Sequence, residues 1–207
     1  MKDLDARGYA HGTSGLGGHH DYLLPSVRRH LAILKDRRVF DLGCGNGSVA
    51  HALSVSGYDV TGVDPSEDGV RLARETYPGL RVEAASAYDD LAAVYGRFPV
   101  VLSLEVVEHV YSPRSYAKTL FDLVEPGGIA LVSTPYHGYL KNLALAFSGK
   151  MDAHFTALWD HGHIKFWSIK TLGLLLRETG FSDVSFERLG RVPPLAKSMM
   201  AIARKPG

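Results

Sequence analysis

Three side chains suited to proton transfer or metal binding fall close together in Ser103-Leu104-Glu105-Val106-Val107-Glu108-His109-Val110. On one helical turn, Glu105, Glu108 and His109 stand at i, i+3 and i+4 and share a face, with Val106 and Val107 turned to the core. Earlier in the chain, Asp41-Leu42-Gly43-Cys44-Gly45-Asn46-Gly47-Ser48 sets an acid ahead of three alternating glycines. Glycine is needed where the backbone turns sharply and where a ligand approaches the main chain with no Cβ in the way. Asp64, in Gly62-Val63-Asp64-Pro65-Ser66, is a carboxylate able to accept both hydroxyls of a ribose lying across strand ends.

Positioning these groups requires an alternating chain. Short β-branched runs at 38–42, 58–64, 80–83, 98–104 and 129–134 read as strands, and apolar runs bounded by Gly and Pro suit strands covered on both faces. Residues 48–55, 66–77 and 114–124 carry apolar side chains at helical spacing, the last opened by Ser112-Pro113. The alternation predicts an α/β fold with right-handed crossovers and a mostly parallel sheet with helices on both faces. A leading helix is expected over 21–34, a helix over 168–179 closed by Gly180, and two further strands near 184–188 and 196–204. One domain spans 1–207: 1–35 an N-terminal lid and helix, 36–134 a cofactor-binding core, 135–167 an acceptor-side insert, and 168–207 a C-terminal helix and strands.

Composition narrows the function classes. The 23 Lys and Arg against 22 Asp and Glu leave a net charge of +1, which gives no electrostatic footprint for nucleic acid or an anionic bilayer. The single cysteine, Cys44, rules out an internal disulfide framework. No apolar run reaches the roughly 18 residues of a spanning helix, and the first twenty residues lack a secretory apolar segment. A cytoplasmic protein is expected.

The glycine spacing separates possible cofactors. A dinucleotide loop wants Gly-x-Gly-x-x-Gly, and its third glycine position is Ser48 here; no phosphate-loop lysine follows either. Asp41 with Gly43, Gly45 and Gly47 instead resembles the first motif of the class I S-adenosylmethionine-dependent methyltransferases. The resemblance runs over about 28–186 and includes Asp64 and the Glu125-Pro126-Gly127-Gly128 turn. It implies a Rossmann-like seven-stranded sheet with the last strand antiparallel. It also implies a site in which Gly43 and Gly45 lie against methionine and ribose, flanked by Asp41, Cys44, Gly47, Pro65 and Leu104. Asp64 would hold the ribose hydroxyls, with Ser86 and Ala87 bordering the adenine; the acid often found at that place is absent. Cys44 itself reads as a small loop residue.

Glu-x-x-Glu-His is similar to a segment in two subgroups, the ubiquinone-biosynthesis O-methyltransferases and the small-RNA 2′-O-methyltransferases. In the RNA group these residues and a downstream histidine hold magnesium, and His163 in His161-Gly162-His163 is the residue to align. The resemblance therefore offers Glu105, Glu108, His109 and His163 for Mg²⁺, Mn²⁺ or Zn²⁺, with Glu108, His109 and His163 as catalytic candidates. Two other readings stay open: a metal-free pocket with His109 as general base, and a structural role.

Ten histidines are a surplus for 207 residues. His137, His154 and His161 share the insert with Tyr136, Tyr139, Phe155, Trp159 and Phe166, a wall for a small planar acceptor or a local packing cluster. Residues 140–147 form an apolar piece that could touch a membrane surface. His11, His19 and His20 lie in a glycine-rich leader, where Tyr9, His20 and Tyr22 could close over the cofactor as a lid. His30 and His51 read as packing residues. The function expected is methyl transfer to a small molecule, most readily at a hydroxyl oxygen. The rivals are a metal-dependent RNA 2′-O-methyltransferase and a non-catalytic S-adenosylmethionine-binding domain.

Overall fold

A computed structural model describes residues 15–18, 20–155, 157–159 and 162–207. Seven strands form a single sheet: β1 (Arg38–Leu42), β2 (Asp59–Asp64), β3 (Arg81–Ala84), β4 (Phe98–Leu104), β5 (Val124–Pro135), β6 (Val184–Leu189) and β7 (Ser198–Arg204). Their order is β3-β2-β1-β4-β5-β7-β6, and all neighbours pair in parallel except those of β7. The last strand is antiparallel as expected, and it sits between β5 and β6 rather than at the sheet edge.

Side chains alternate across the sheet and build two cores. Val39, Val100 and Leu102 pack with Leu24, Val27 and Leu31 of α1 (His20–Ala32) and with Ala50 and Leu53 of α2 (Ser48–Ser54). Phe40, Leu42 and Val101 face Tyr116 and Leu120 of α5 (Pro113–Leu123) and Leu172 and Leu176 of α8 (Ile169–Thr179). Burial on both faces explains why β4 reads as a continuous apolar run.

The helix boundaries follow local chemistry. Ser66 caps α3 (Glu67–Thr76), accepting from the Gly69 N–H, with Glu67 and Asp68 in the first turn. Ser168 and Thr171 form a capping box on α8, and Gly180 closes it at φ +118°. Three short helices lie outside the expected set or inside the insert: α4 (Leu91–Tyr95), α6 (Tyr139–Phe147) and α7 (Met151–Phe155). α4 and α7 have five residues each, too few to show a helical period. β5 begins at Val124, five residues before its expected start, because the Glu125-Pro126-Gly127-Gly128 turn is a register shift within the β4–β5 ladder.

The strand order reverses between β1 and β4, so the crevice at their carboxyl ends is where a ligand binds in such a sheet. The loops after β1 and β4 are the two segments that carry the acid–glycine and acid–histidine groups.

Candidate active site

After β1 the chain turns through Gly43, Gly45 and Gly47 at φ +88°, +52° and +72°. The N–H groups of Gly43 and Cys44 both donate to the Val63 carbonyl, at 2.8 and 2.9 Å. A Cβ on Gly43 would stand 2.4 Å from Val106 Cγ2, and one on Gly47 would stand 2.8 Å from Ala73 Cβ. The loop is thus pinned between α3 and the segment after β4. Glycine is required by conformation and by space together.

Asp64 closes β2, 9% exposed. Its Oδ2 accepts from the Gly45 N–H at 2.9 Å and its Oδ1 from the Ser66 N–H at 2.8 Å. Asp41 is 2% exposed and its Oδ2 has no hydrogen-bond partner. Burial, aided by the charge of Asp64, pushes its carboxyl up to about 7. An orphaned carboxylate oxygen beside a glycine cradle fits a nucleoside cofactor carrying a cationic ammonium group. Burial also pushes the Cys44 thiol up, so Cys44 is a packing residue against Gly62.

Pro65, Ser86, Ala87 and Leu104 are half-buried around this crevice. Ser86 is held by Asp89, whose Oδ2 accepts from the Ser86 N–H at 2.8 Å, and the Tyr88 hydroxyl accepts from the Ser112 N–H at 3.0 Å. Sequence reasoning passed over Asp89, although an acid three residues after Ser86 can accept from its N–H and close a turn. Asn46 Nδ2 donates to the Gly15 carbonyl at 3.3 Å, bringing the leading segment to the glycine loop. His20 turns its Nδ1 to the Gly17 N–H, and the Tyr22 hydroxyl hydrogen-bonds Ser198 Oγ at 3.1 Å. Tyr22 therefore faces the start of β7. Tyr9, His11, His19 and His161 lie outside the described residues.

The segment after β4 is a turn and not the expected helical one. Glu105 takes φ +56°, the only described non-glycine residue in the left-handed region. That conformation directs its carboxylate to β5, where Ser133 Oγ donates to it at 2.8 Å. Burial raises Glu105 to about 7. The common face forms without it. Glu108, His109 and His163 each offer a ligand atom, all within 4.8 Å of one another. Glu108 is 1% exposed, neither of its oxygens has a hydrogen bond, and Oε1 lies 3.9 Å from His163 Nε2. Burial, aided by the charge of Glu105, holds its carboxyl well above the usual range.

His163 reaches this place because the end of the insert runs along the turn. The N–H groups of Ile164 and Lys165 both donate to the Glu108 carbonyl at 3.0 Å, and Trp167 Nε1 donates to the Val107 carbonyl at 3.0 Å. His109 Nδ1 bonds the Gly162 carbonyl at 3.2 Å. A carbonyl can only accept, so Nδ1 carries the proton and Nε2 keeps its lone pair. Burial and the nearby His109 push His163 down to about 4, leaving a neutral imidazole. A buried carboxyl with two imidazoles is a donor set for a divalent cation of intermediate hardness.

Beyond the trio, His137 packs with His154, Phe155 and Phe166 at ring separations of 5.6, 5.9 and 5.1 Å. These rings pack on one another, as both the acceptor wall and the local packing cluster would have them do. The serines that hold Glu105 and Tyr22 were missed; Ser133 is a polar residue interrupting the apolar run of β5. His30 pairs with Glu187 and His51 stacks on Tyr77.

A methyltransferase-domain family model matches residues 18–186. The ubiquinone biosynthesis O-methyltransferase of Caulobacter sp. (strain K31) is 38% identical over 126 residues, covering 59% of this chain and 48% of that protein. The enzyme of the same name from Cereibacter sphaeroides is 34% identical over 162 residues, covering 75% and 63%. The chain thus spans about half to two thirds of the length of these curated relatives. Among solved structures, magnesium protoporphyrin IX methyltransferase from Synechocystis PCC 6803 with bound SAH superposes with a TM-score of 0.67 at 21% identity, over 91% of this chain and 84% of that one. That likeness is one of fold. The chain belongs to the methyltransferase domain family.

Proposed function

We propose that this chain methylates a hydroxyl oxygen of a small-molecule acceptor, with a divalent cation held by Glu108, His109 and His163. The observation that carries the reading is Glu108, buried with neither oxygen hydrogen-bonded and within ligand reach of His109 and His163. An unpaired buried carboxylate is expensive, and a cation is the partner that both imidazoles would share. S-adenosylmethionine supplies an electrophilic methyl group when bound. The cation supplies charge that lowers the pKa of an adjacent hydroxyl.

The chain's own residues position both partners. Gly43, Gly45 and Gly47 keep the main chain open to the cofactor, Asp64 holds the ribose edge, and Asp41 faces the ammonium end. Val106 ties this cradle to the trio, since it touches Gly43 while Glu108 lies two residues on. Displacement at carbon needs its two partners in line, so this rigid coupling is the main contribution of the fold. A net charge of +1 supports a small acceptor over a nucleic acid. The relatives' printed activity, O-methylation in ubiquinone biosynthesis, supports oxygen as the acceptor atom. No helix among the described residues is long and apolar enough to cross a membrane. The exposed Tyr139, Leu140, Leu143 and Phe147 of α6 support peripheral contact with a lipid surface. The lone buried Cys44 fits a cytoplasmic setting.

The test is methyl transfer from labelled S-adenosylmethionine to a panel of phenols and alcohols, before and after dialysis against a chelator. Turnover should vanish on chelation and return with Mg²⁺, Mn²⁺ or Zn²⁺. Undiminished turnover without cation removes the metal; transfer to amines alone removes oxygen.

A further inference from the structure

Resting on the reading that a small molecule fills the acceptor side, we propose that this acceptor carries an anionic group, a carboxylate or a phosphate. It would be seated among Lys141, His137 and His154 at α6 and α7, with the exposed Arg191 adding positive charge from the solvent side. Two polar atoms here are shielded from solvent and lack a hydrogen bond: His137 Nδ1 and His154 Nε2. Each such vacancy is unfavourable, and two on rings 5.6 Å apart point to a shared missing partner.

The charge balance of the recess selects the kind of partner. Lys141 is half-buried, and its Nζ donates to the Tyr136 carbonyl at 2.9 Å, which leaves two further donors. Neither Lys141 nor Arg191 forms an ion pair with any described residue. Lys141 feels Arg191 as a like charge, and both imidazoles feel Lys141 as one; His137 is held down to about 4. Glu105 is the acid that Lys141 senses, and its carboxylate is already engaged by Ser133. A second cation would be repelled here. A neutral hydroxyl would leave the two basic side chains uncompensated. An anion takes hydrogen bonds from the lysine and both imidazoles and relieves the repulsion together.

Geometry also links the recess to the reaction. The His137 ring packs on Phe166 at 5.1 Å, and the same stretch of chain donates from Ile164, Lys165 and Trp167 to the Glu108 and Val107 carbonyls, so one short segment joins the recess to the trio. Phe155, stacked on His137 with planes 18° apart, and Phe166 supply flat walls for a ring between the two. Neither α6 nor α7 buries a residue, so the roof lifts at small cost to admit the group.

The experiment uses the full chain and three acceptors sharing one phenolic hydroxyl: one with a carboxylate, one with a phosphate monoester, one with the methyl ester of the carboxylate. One anionic acceptor should exceed the ester in kcat/KM by about 10- to 100-fold, the range of a charged hydrogen bond, and which one does so names the source. K141M and R191M should each cut that ratio by about tenfold, read as a ratio within one protein preparation. Equal kcat/KM for all three acceptors overturns the anion seat and leaves hydroxyl methylation standing. Transfer to none of them overturns the underlying reading instead. In that event benzoate and inorganic phosphate are titrated while imidazole nitrogens are followed by NMR. Shifts at His137 and His154 at millimolar anion, with His30 and His51 unmoved, support the seat; shifts at all four or at none overturn it.

Discussion

The glycine loop after β1 and the insert after β5 both pack on the turn after β4, at Val106 and at Glu108, and are built on opposite rules. In the loop every conformation is forced: three glycines at positive φ, two N–H groups on one carbonyl, and a Cβ-sized gap missing at Gly43. In the insert, α6 and α7 bury nothing, large apolar side chains face solvent, and polar atoms of His137 and His154 lack partners. On the proposed reading, the first region would take the cofactor that the family shares, and the second the acceptor, whose contacts differ from one member to another.

The sharpest way to break the contrast is Gly43→Val. Left-handed strain and overpacking against Val106 together cost about 3–5 kcal/mol, which corresponds to about a 1,000-fold loss of cofactor affinity. Titration calorimetry with S-adenosylhomocysteine measures it. Affinity within tenfold of wild type would mean that the loop is as tolerant as the insert.

Asp41→Asn tests the same half with the opposite sign. Its carboxyl is raised in the fold from the ordinary 3.8 to about 7, so folding binds a proton. The stability this group contributes is therefore full below about pH 4 and is lost as pH rises toward 7. The asparagine variant, free of that loss, should unfold about 3–4 kcal/mol harder than wild type at pH 8 without cofactor, and equally at pH 4. Urea midpoints at the two pH values check this. No gain at pH 8 would show that Asp41 is ionised at little cost and that the crevice is wetter than its burial implies.

Much of the cofactor half is legible in the sequence because local rules and function coincide there. Spacing picks out Gly43, Gly45, Gly47, Asp41 and Asp64, the family resemblance supplies their roles, and the strand carrying Asp41 runs over 38–42 as its apolar run predicts. The acceptor half is not legible in that way. Glu105 was expected beside Glu108, yet a single left-handed φ moves its carboxylate to Ser133, and no one-dimensional period encodes that choice. His163 was found by resemblance, whereas the hydrogen bonds that deliver it come from main-chain groups of Glu108, Ile164 and Lys165, to which sequence is blind. Lys141 and Arg191 lie fifty residues apart, and it is the packing of α6 against the Pro193–Leu195 turn that brings their segments together.

On the insert side, His163→Ala removes one imidazole of the trio. Turnover in saturating cation should fall by about 30- to 100-fold, some 2–3 kcal/mol of lost charge stabilisation, while S-adenosylhomocysteine affinity stays within twofold. Stopped assays and calorimetry on the same preparation separate the two. A parallel fall in cofactor affinity would mean that the two sides of the crevice act as one unit, since His163 and Gly43 are joined only through the Val106–Glu108 turn.

The smallest effect is the most telling about the insert itself. Leu143 is 52% exposed on α6, whereas Leu172 on α8 is fully buried among Phe40-side core residues. Leu172→Ala leaves a cavity between α8 and the sheet and should cost about 2–5 kcal/mol. Leu143→Ser removes an apolar side chain that the fold does not use, so its change should stay within about 0.5 kcal/mol. Urea unfolding of both variants, with the same slope as wild type, gives the comparison directly. If Leu143→Ser costs as much as a core cavity, then α6 is a packed wall and its roof cannot lift for an acceptor. If it costs nothing, the exposed leucine is retained for contacts outside the fold, at the face where a lipid or an apolar acceptor would arrive.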